Sequence, residues 1–321
     1  MLSAISSVFS SVKSTNPIIG EVCKFIKIVS RTVNKQKVSE LKLSDELPSF
    51  NPQKKLIVIS FLGNARIGKS TLMNCFVSNL MKSNIKVFNT SNSAKNHCTL
   101  GIDILQIETE NNTIILLDVQ GLDYKDSKDD CKIMLLVFMI SNIIVYNQKG
   151  ILTNTVLSSF QSLTSLVAHI KDEHVKPQLL FRSIDINPET EDYDPEDNLN
   201  DMLNDERQDQ YTNVRKSIIK LFPNINCRPT YHLDKSEMKL LSSNKFIECM
   251  NFEDNGFSDF CNYLLEQSYS SPSHNPSNFI NRVETVIQQI NSNENIDCKI
   301  FDSTSMQTKS SIRDWDVLLL I

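Results

Sequence analysis

Apolar residues in the central part of the chain fall into short continuous runs and longer stretches with helical spacing. The short runs predict strands that are buried on both faces, at residues 56–62 (LIVISFL), 102–107, 113–117 (TIILL), 143–146 and 178–181. The helical spacing predicts helices at 70–82, 131–140, 153–169, 211–222, 234–250, 257–268 and 278–291. Strands that alternate with helices are typical of an α/β fold with a doubly wound, mostly parallel sheet flanked by helices.

The first fifty residues form an extension to this pattern. Residues 1–13 are rich in serine and carry apolar side chains at helical spacing, and residues 17–33 add a second such stretch in which basic residues outnumber Glu21. The spacing predicts helices, which either pack against the main domain or lie on a membrane surface as an amphipathic or targeting segment. We therefore expect residues 1–50 to be an N-terminal extension, helical or partly disordered.

Two polar segments mark further boundaries. Residues 185–209 contain eleven acidic residues against one basic residue, together with two prolines, which predicts a solvated, mobile insertion. Residues 270–277 (SSPSHNPS) have the composition of a linker. We therefore expect a main domain over residues 51–270, followed over residues 271–321 by a linker and the start of a truncated helical region.

Composition and charge exclude several classes of protein. The net charge of the 321 residues is −5, so electrostatics give no reason to expect nucleic acid as a partner. The eight cysteines form no C-x-x-C pair and no cluster with histidine, which favours reduced thiols in a cytoplasmic protein over a disulfide scaffold or a zinc site. The longest apolar run, residues 133–146, is shorter than the roughly 20 residues that a membrane-spanning helix needs.

Only seven glycines are present, so each position carries information. Gly63 and Gly68 belong to the segment G-N-A-R-I-G-K-S at residues 63–70, which fits the phosphate-binding pattern G-x-x-x-x-G-K-[ST] between a predicted strand and a predicted helix. Loop N–H groups and the positive end of the helix would surround phosphate oxygens, Lys69 would add a charge, and Ser70 would bind Mg²⁺. This predicts a P-loop NTPase-type fold with nucleotide contacts from Gly63, Asn64, Ala65, Arg66, Ile67, Gly68, Lys69, Ser70 and Thr71.

Two further segments have the chemistry of a nucleotide site. Asp118 and Gly121, in D-V-Q-G, follow a predicted strand, where the carboxylate can hold a water on the metal and the Gly121 N–H can reach the γ-phosphate. Thr99 lies in a polar loop and can complete the Mg²⁺ shell in the triphosphate state; the alternative is an ordinary loop threonine before a strand. The expected metal ligands are therefore Ser70, Thr99 and Asp118.

With these segments in order, the chain resembles the N-terminal GTPase domain of the guanylate-binding protein and atlastin group of dynamin-like large GTPases. Arg66 within the phosphate loop is the residue that distinguishes this group from small GTPases. Further segments that resemble the group are LLDVQGLD (116–123), IIVYNQKGILTN (143–154), KLFPNINC (220–227), DFCNYLLEQ (259–267) and VETVIQQIN (283–291). The resemblance covers about residues 50–295.

The resemblance implies a Mg²⁺-dependent GTP hydrolase that is activated by transient homodimerisation through its nucleotide face. In such a dimer Arg66 would act as an internal arginine finger, so the catalytic set would be Arg66, Lys69, Ser70 and Thr99. In the group a following helical domain couples the cycle to assembly on membranes, which makes a membrane surface a candidate partner beside GTP and GDP. Here the chain ends about where that domain would start, as expected of a fragment or of a GTPase domain that works alone.

One departure from the group's pattern concerns the base. The group reads guanine with an Arg-Asp pair, whereas Arg182 is followed here by Ser183. A carboxylate accepts two hydrogen bonds from guanine, and serine cannot replace both. Asp185 can take this role if the loop shifts by two residues, so we expect nucleotide contacts from Arg182 and from Ser183 or Asp185.

A second departure concerns catalysis and leaves three functions open. His97 and Cys98 precede Thr99, where guanylate-binding proteins carry Ser-His in the segment that helps to position the attacking water. The leading hypothesis is a GTP hydrolase. The alternatives are a catalytically weak or inactive nucleotide-binding module, and a P-loop ATPase or kinase in which Ser183 reflects a loss of guanine selection.

Overall fold

The structure, a computed structural model, describes residues 17–33, 36–90, 99, 101–122, 127–167, 176–187 and 194–292. A nine-stranded sheet runs through these residues, and helices cover both of its faces with two apolar cores between sheet and helices. This confirms the predicted P-loop NTPase-type α/β fold.

The strands are β1 (Ile18–Ile19), β2 (Cys23–Val33), β3 (Gln36–Leu43), β4 (Lys55–Gly63), β5 (Ile102–Glu108), β6 (Asn112–Val119), β7 (Ile143–Lys149), β8 (Gln178–Ile186) and β9 (Ile225–Tyr231). The helices are α1 (Lys69–Met81), α2 (Ser127–Ile140), α3 (Asn154–Val167), α4 (Pro195–Leu203), α5 (Thr212–Leu221), α6 (Lys235–Ser242), α7 (Phe246–Met250), α8 (Phe257–Ser270) and α9 (Pro276–Ser292), with one 3₁₀ turn at Glu253–Asn255. Every strand and helix predicted from residue 56 onward is present, although the predicted helix over 234–250 is two helices, α6 and α7.

The strand order is β3-β2-β5-β6-β4-β7-β8-β9, with β1 paired to β5. Strands β6, β4, β7, β8 and β9 are parallel, whereas β5, β2, β3 and β1 extend the sheet by antiparallel pairing. Strands β4, β6 and β7, in the middle of the sheet, are almost entirely buried because helices cover them on both faces. Their carboxyl ends share one edge of the sheet, where ligands bind in folds of this kind.

The helix predicted over residues 17–33 is wrong, because these residues form β1 and β2 instead. Phe25 and Ile26 are both fully buried, since the register of β2 against β5 shifts between Lys24 and Ile26. Such a bulge turns two neighbouring residues toward the core and breaks the alternation of a strand, so the apolar spacing imitates a helix. The sheet therefore begins before residue 51, and residues 1–16 lie outside the described residues.

The acidic segment is more ordered than predicted where the structure describes it, from residue 194 onward. The Asp194 side chain caps α4 by accepting hydrogen bonds from the N–H groups of Glu196, at 2.7 Å, and Asp197, at 3.0 Å. Carboxylates in the first turn also interact favourably with the positive end of a helix. Because Leu199, Met202 and Leu203 of α4 are buried, this part of the insertion is a packed helix and not a mobile loop.

Strand β9 and the position of α9 were not predicted. Pro229 lies inside β9, and proline is tolerated there because β9 is an edge strand of the sheet. The apolar face of α9 packs against α2 and β3, and the Asn291 carboxamide hydrogen-bonds the backbone N–H and C=O of Leu41 in β3. The helix predicted at the start of a separate region thus covers the core of the sheet.

Two findings concern the cysteines and the membrane-spanning segments that the composition addressed. The six described cysteines are free thiols, and five of them are buried. A helix with the length and apolar character needed to cross a membrane does not occur in the part of the chain that the structure describes.

Candidate functional site

The phosphate-binding segment joins β4 to α1 by a tight turn. Gly63 has φ 127° and Gly68 has φ 79°, values that favour glycine. A side chain on Gly63 would place its Cβ 2.3 Å from the carbonyl oxygen of Asn147 in β7, so only glycine fits at this point. The loop is thereby held against the neighbouring strand, and α1 begins immediately after it, as the motif predicts.

Arg66 occupies the turn of this loop. Its φ of 65° is left-handed, a conformation that costs a residue with a side chain about 1–2 kcal/mol. Arg66 is exposed. The loop therefore presents an arginine at the surface, next to the carboxyl edge of the parallel strands.

Lys69 is buried at the first position of α1. Its ammonium group donates hydrogen bonds to the carbonyl oxygens of Gly63, at 3.1 Å, and Asn64, at 2.9 Å. Burial lowers the pKa of Lys69 to about 8, although the nearby Asp118 carboxylate acts in the opposite direction. The lysine thus lies across the loop as a cation beside the place where a phosphate would bind.

Asp118 brings the three predicted metal ligands together. Its Oδ2 accepts hydrogen bonds from Ser70 Oγ, at 2.7 Å, and Thr99 Oγ1, at 2.9 Å. Its Oδ1 is buried and has no hydrogen-bond partner, and burial raises the pKa of this carboxyl. A buried oxygen without a partner, beside two hydroxyl oxygens, fits a hard cation such as Mg²⁺, which binds few carboxylates and keeps several waters.

The described residues contain no cluster of three or more His, Cys, Asp or Glu side chains with the arrangement of a metal site. A cavity of about 460 Å³ adjoins the predicted metal ligands and is lined by Thr99, Asp103 and Asp118 together with residues 20–22 and 87–89.

Gly121 lies in close contact with the phosphate loop. A Cβ on Gly121 would lie 2.3 Å from the Cα of Ala65, so the two backbones approach as closely as glycine allows. The N–H of Leu122 donates a hydrogen bond to the carbonyl of Gly63 at 3.1 Å. The predicted D-V-Q-G segment is therefore packed directly on the phosphate loop.

Gln120 is a site residue that sequence reasoning missed. Its backbone N–H donates to the carbonyl of Gly101 at 2.9 Å, and its side-chain Oε1 accepts from the N–H of Gly101 at 2.8 Å. These two bonds join the segment of Thr99 to the segment of Asp118. The D-x-x-G pattern leaves position 120 unspecified, so no signal in the sequence indicates this role.

Arg182 and Ser183 are buried and do not reach the edge of the sheet. Arg182 Nη1 donates to Asn147 Oδ1 at 3.2 Å, and its guanidinium lies 4.8 Å from the ring centroid of Phe257. Burial lowers the pKa of Arg182 to about 10. Ser183 is fully buried with its Oγ 3.5 Å from Cys227 Sγ. Neither side chain is exposed at the carboxyl edge in this structure, so the expectation that Arg182 or Ser183 contacts a base stays a prediction.

Asp185 is the alternative base-contacting residue that the sequence analysis proposed beside Ser183. It lies at a bulge near the end of β8 with φ 66°, and its side chain is 32% exposed. Oδ2 lies 3.0 Å from the ammonium of Lys149, which ends β7, and Oδ1 is hydrogen-bonded to Nδ1 of His232, which follows β9. The His232 hydrogen bond is the main reason that the pKa of this carboxyl is lowered. The structure thus brings an accessible carboxylate to the carboxyl edge, two strands away from the phosphate loop.

Comparison with known proteins gives one family model that matches part of the chain. Residues 30–180 match the family model described as Guanylate-binding protein, N-terminal domain. This range contains the phosphate loop, the three predicted metal ligands and Gly121. A search of curated proteins found no match to the chain.

Proposed function

We propose that this chain, whose residues 30–180 belong to a large GTPase domain of the guanylate-binding protein type, binds guanine nucleotides with Mg²⁺ and hydrolyses the γ-phosphate of GTP. The observation that carries this proposal is the cluster around Asp118. One buried carboxylate gathers the hydroxyl groups of Ser70 and Thr99 next to Lys69, at the mouth of a glycine-bounded phosphate loop.

The phosphate loop and Lys69 stabilise negative charge. Backbone N–H groups of residues 64–70 and the positive end of α1 favour phosphate oxygens. Lys69 exchanges its contacts with the carbonyls of Gly63 and Asn64 for contacts with β- and γ-phosphate oxygens. With a pKa of about 8 it carries its charge at neutral pH, where that charge stabilises the transition state.

Ser70, Thr99 and Asp118 are the side chains that would hold Mg²⁺. When bound, Mg²⁺ neutralises charge that develops on the β- and γ-phosphate oxygens. Gln120 positions Thr99 indirectly, because it holds the backbone of Gly101 two residues further along the chain.

Base selection belongs to Asp185 in this proposal. Guanine presents two parallel donors, N1–H and the 2-amino group, and a carboxylate accepts both. Adenine has an acceptor at N1 and no 2-amino group, so an ionised carboxylate at this point disfavours it. Asp185 is exposed enough to be reached, whereas Ser183 is not.

A homodimer through the nucleotide face is the remaining part of the proposal. Arg66 is exposed in the turn of the phosphate loop, so a partner that covers this edge would exclude water from it and bring the guanidinium toward the phosphates. An arginine in that position stabilises charge in the transition state of phosphoryl transfer.

The experiment that tests the function is product analysis by ion-exchange chromatography after incubation with Mg²⁺ and equal amounts of GTP and ATP. We expect the wild-type chain to consume GTP and leave ATP. Lys69→Met, which keeps the buried apolar stem and removes the charge, should lose at least 100-fold in rate, whereas Lys216→Ala at an exposed site on α5 should not change it. A melting temperature for each variant separates loss of chemistry from loss of folding.

Other outcomes of that experiment overturn parts of the proposal. Consumption of ATP at the same rate as GTP excludes guanine selection. Tight binding of GTP in calorimetry without turnover supports the alternative of a nucleotide-binding module. That alternative is motivated by His97 and Cys98, which lie outside the described residues.

A further inference from the structure

We propose that His232 is a positioning residue for base selection, which holds the Asp185 carboxylate in the orientation that pairs with guanine. The inference rests on the proposed function, because it concerns the base that the same site accepts. It starts from three strand ends, those of β7, β8 and β9, that the sheet places side by side.

The backbone around Asp185 is held from both sides. The register of β8 against β9 shifts between Ile184 and Ile186, which leaves Asp185 in a bulge with left-handed φ. The carbonyl of Ile184 accepts a hydrogen bond from the N–H of Gly150, and the carbonyl of Ile186 accepts one from the N–H of His232, both at 2.8 Å. An unusual backbone conformation tied on both sides is typical of a residue whose side chain must be aimed.

The two carboxylate oxygens have different partners. Because a carboxylate ion only accepts hydrogen bonds, Nδ1 of His232 carries the hydrogen that it donates to Oδ1. Lys149 contacts Oδ2 at 3.0 Å. Each oxygen keeps a further lone pair, so the carboxylate plane is fixed while two acceptor positions stay available for the N1–H and 2-amino donors of guanine.

Of the two partners, His232 determines the orientation. The two partners are similarly exposed, Lys149 at 72% and His232 at 67%, so exposure does not distinguish them; Lys149 reaches Oδ2 from the end of a flexible four-carbon stem, which makes its hold on the carboxylate the weaker of the two. The His232 ring has only two torsions, and its own backbone N–H is bonded to Ile186 on the far side of the bulge. One residue therefore holds both the backbone and the carboxylate of the Asp185 turn.

The position of the Asp185 carboxylate also suits a nucleotide whose phosphates lie on the loop after β4. Strand β8 lies two strands from β4, with β7 between them. Adjacent strands are about 4.8 Å apart, so the carboxylate is displaced by about 10 Å along the edge of the sheet. A ribose and a base extend over such a distance from bound phosphates, with the sugar over the end of β7.

The test compares binding of GDP, inosine diphosphate and ADP by isothermal titration calorimetry with Mg²⁺. Inosine diphosphate lacks the 2-amino group, so the ratio of the GDP and inosine diphosphate affinities measures the second hydrogen bond. We expect His232→Ala to weaken GDP binding about tenfold and to reduce that ratio, with ADP binding unchanged. His232→Asn should restore most of the ratio, because its carboxamide N–H lies near the position of Nδ1, and Lys216→Ala serves as the control.

The outcomes separate this inference from the function on which it rests. If wild type binds no nucleotide, or binds GDP and ADP equally, the proposed guanine site is overturned and the inference with it. If wild type selects GDP but His232→Ala keeps the full ratio, or weakens all three nucleotides alike, then His232 has no positioning role. If Asp185→Ala keeps guanine selection, the base is read elsewhere and the inference fails while the GTPase proposal stands.

Discussion

Lys69 and Asp118 are the two buried charged side chains at the phosphate end of the site. Lys69 is 7% exposed and Asp118 is 2% exposed. Burial lowers the pKa of the lysine and raises that of the carboxyl, and each charge partly offsets the effect on the other. Asp185 differs from both, because it is partly exposed and its partners lower its pKa. The proposed phosphate end is thus a desolvated charge pair, whereas the proposed base end is an accessible carboxylate.

At the scale of single residues, the proposed role of Asp185 gives a prediction about base specificity. In Asp185→Asn, the side-chain oxygen still accepts from N1–H, but the amide N–H faces the 2-amino group of guanine and both are donors. We expect GTP affinity to fall at least tenfold and affinity for xanthosine triphosphate to rise, since xanthine carries an acceptor at that position. Competition binding between the two nucleotides measures this. An Asp185→Asn variant with unchanged preference for GTP would contradict the assignment.

At the scale of elements, the connections are as important as the strands. The segment between α8 and α9 is tied to the sheet, because the N–H of His274 donates to the carbonyl of Leu56 at 2.9 Å. The His274 ring is buried against Phe279, and Arg282 Nη1 lies 3.4 Å from its Nδ1. Burial and the arginine charge lower the pKa of His274 to about 4.

This histidine makes the stability of the fold depend on pH. Above its unfolded pKa of about 6.5 it is neutral in both states, so its full contribution is present. As the pH falls from about 6.5 to about 4, His274 binds a proton in the unfolded chain but stays neutral in the folded chain. The free energy of unfolding should therefore fall by about 3 kcal/mol over this range from this group alone.

Urea unfolding at pH 7.5 and pH 4.5 checks this prediction. His274→Gln removes the titrating group, so the loss of stability between the two pH values should be about 2.5 kcal/mol smaller in the variant than in wild type. Equal losses in the two proteins would show that His274 does not contribute to the acid sensitivity.

The pattern of elements shows where sequence reasoning succeeds and where it fails. The strand at 56–62 and the phosphate loop after it were predicted because each is specified by a pattern of contiguous residues. The N-terminal strands were predicted as helices, because the bulge between Lys24 and Ile26 gave β2 an apolar spacing that is not that of a regular strand. The helix α4 was missed because its acidic composition hid a short apolar face.

At the scale of the whole molecule, a series of contacts through β2 and β3 lies between the segment of Thr99, a proposed metal ligand, and the last described helix. A Cβ on Gly101 would lie 2.2 Å from the carbonyl oxygen of Ile26, so the Thr99 segment rests directly on β2. Strand β2 pairs with β3 along its length, and the Asn291 carboxamide of α9 pairs with the backbone of Leu41 at 3.0 and 2.8 Å. The Thr99 segment and α9 thus contact the same antiparallel strand pair, β2 and β3.

The proposed dimer gives a prediction at this scale. If a second copy completes the site, GTP turnover per chain should rise with protein concentration, because the fraction of chains that are in dimers rises with concentration. In Arg66→Ala this rise should be at least tenfold smaller, while nucleotide affinity stays within about threefold, since removal of an arginine finger lowers the rate more than binding. Turnover measured over a wide range of protein concentrations, with Lys216→Ala as control, tests whether Arg66 acts in the dimer. A concentration dependence that survives in Arg66→Ala would refute the assignment.

The sequence by itself predicts the proposed phosphate end of the site. A phosphate is bound mainly by contiguous backbone, so Gly63, Gly68, Lys69 and Ser70 identify it wherever a strand precedes them and a helix follows. The proposed base end depends on the tertiary structure alone. Asp185, Lys149 and His232 lie on three different strand ends, and it is the pairing of β7, β8 and β9 and the bulge beside Ile186 that bring them together. Register between distant strands depends on how the whole sheet packs, and no local spacing of residues encodes it.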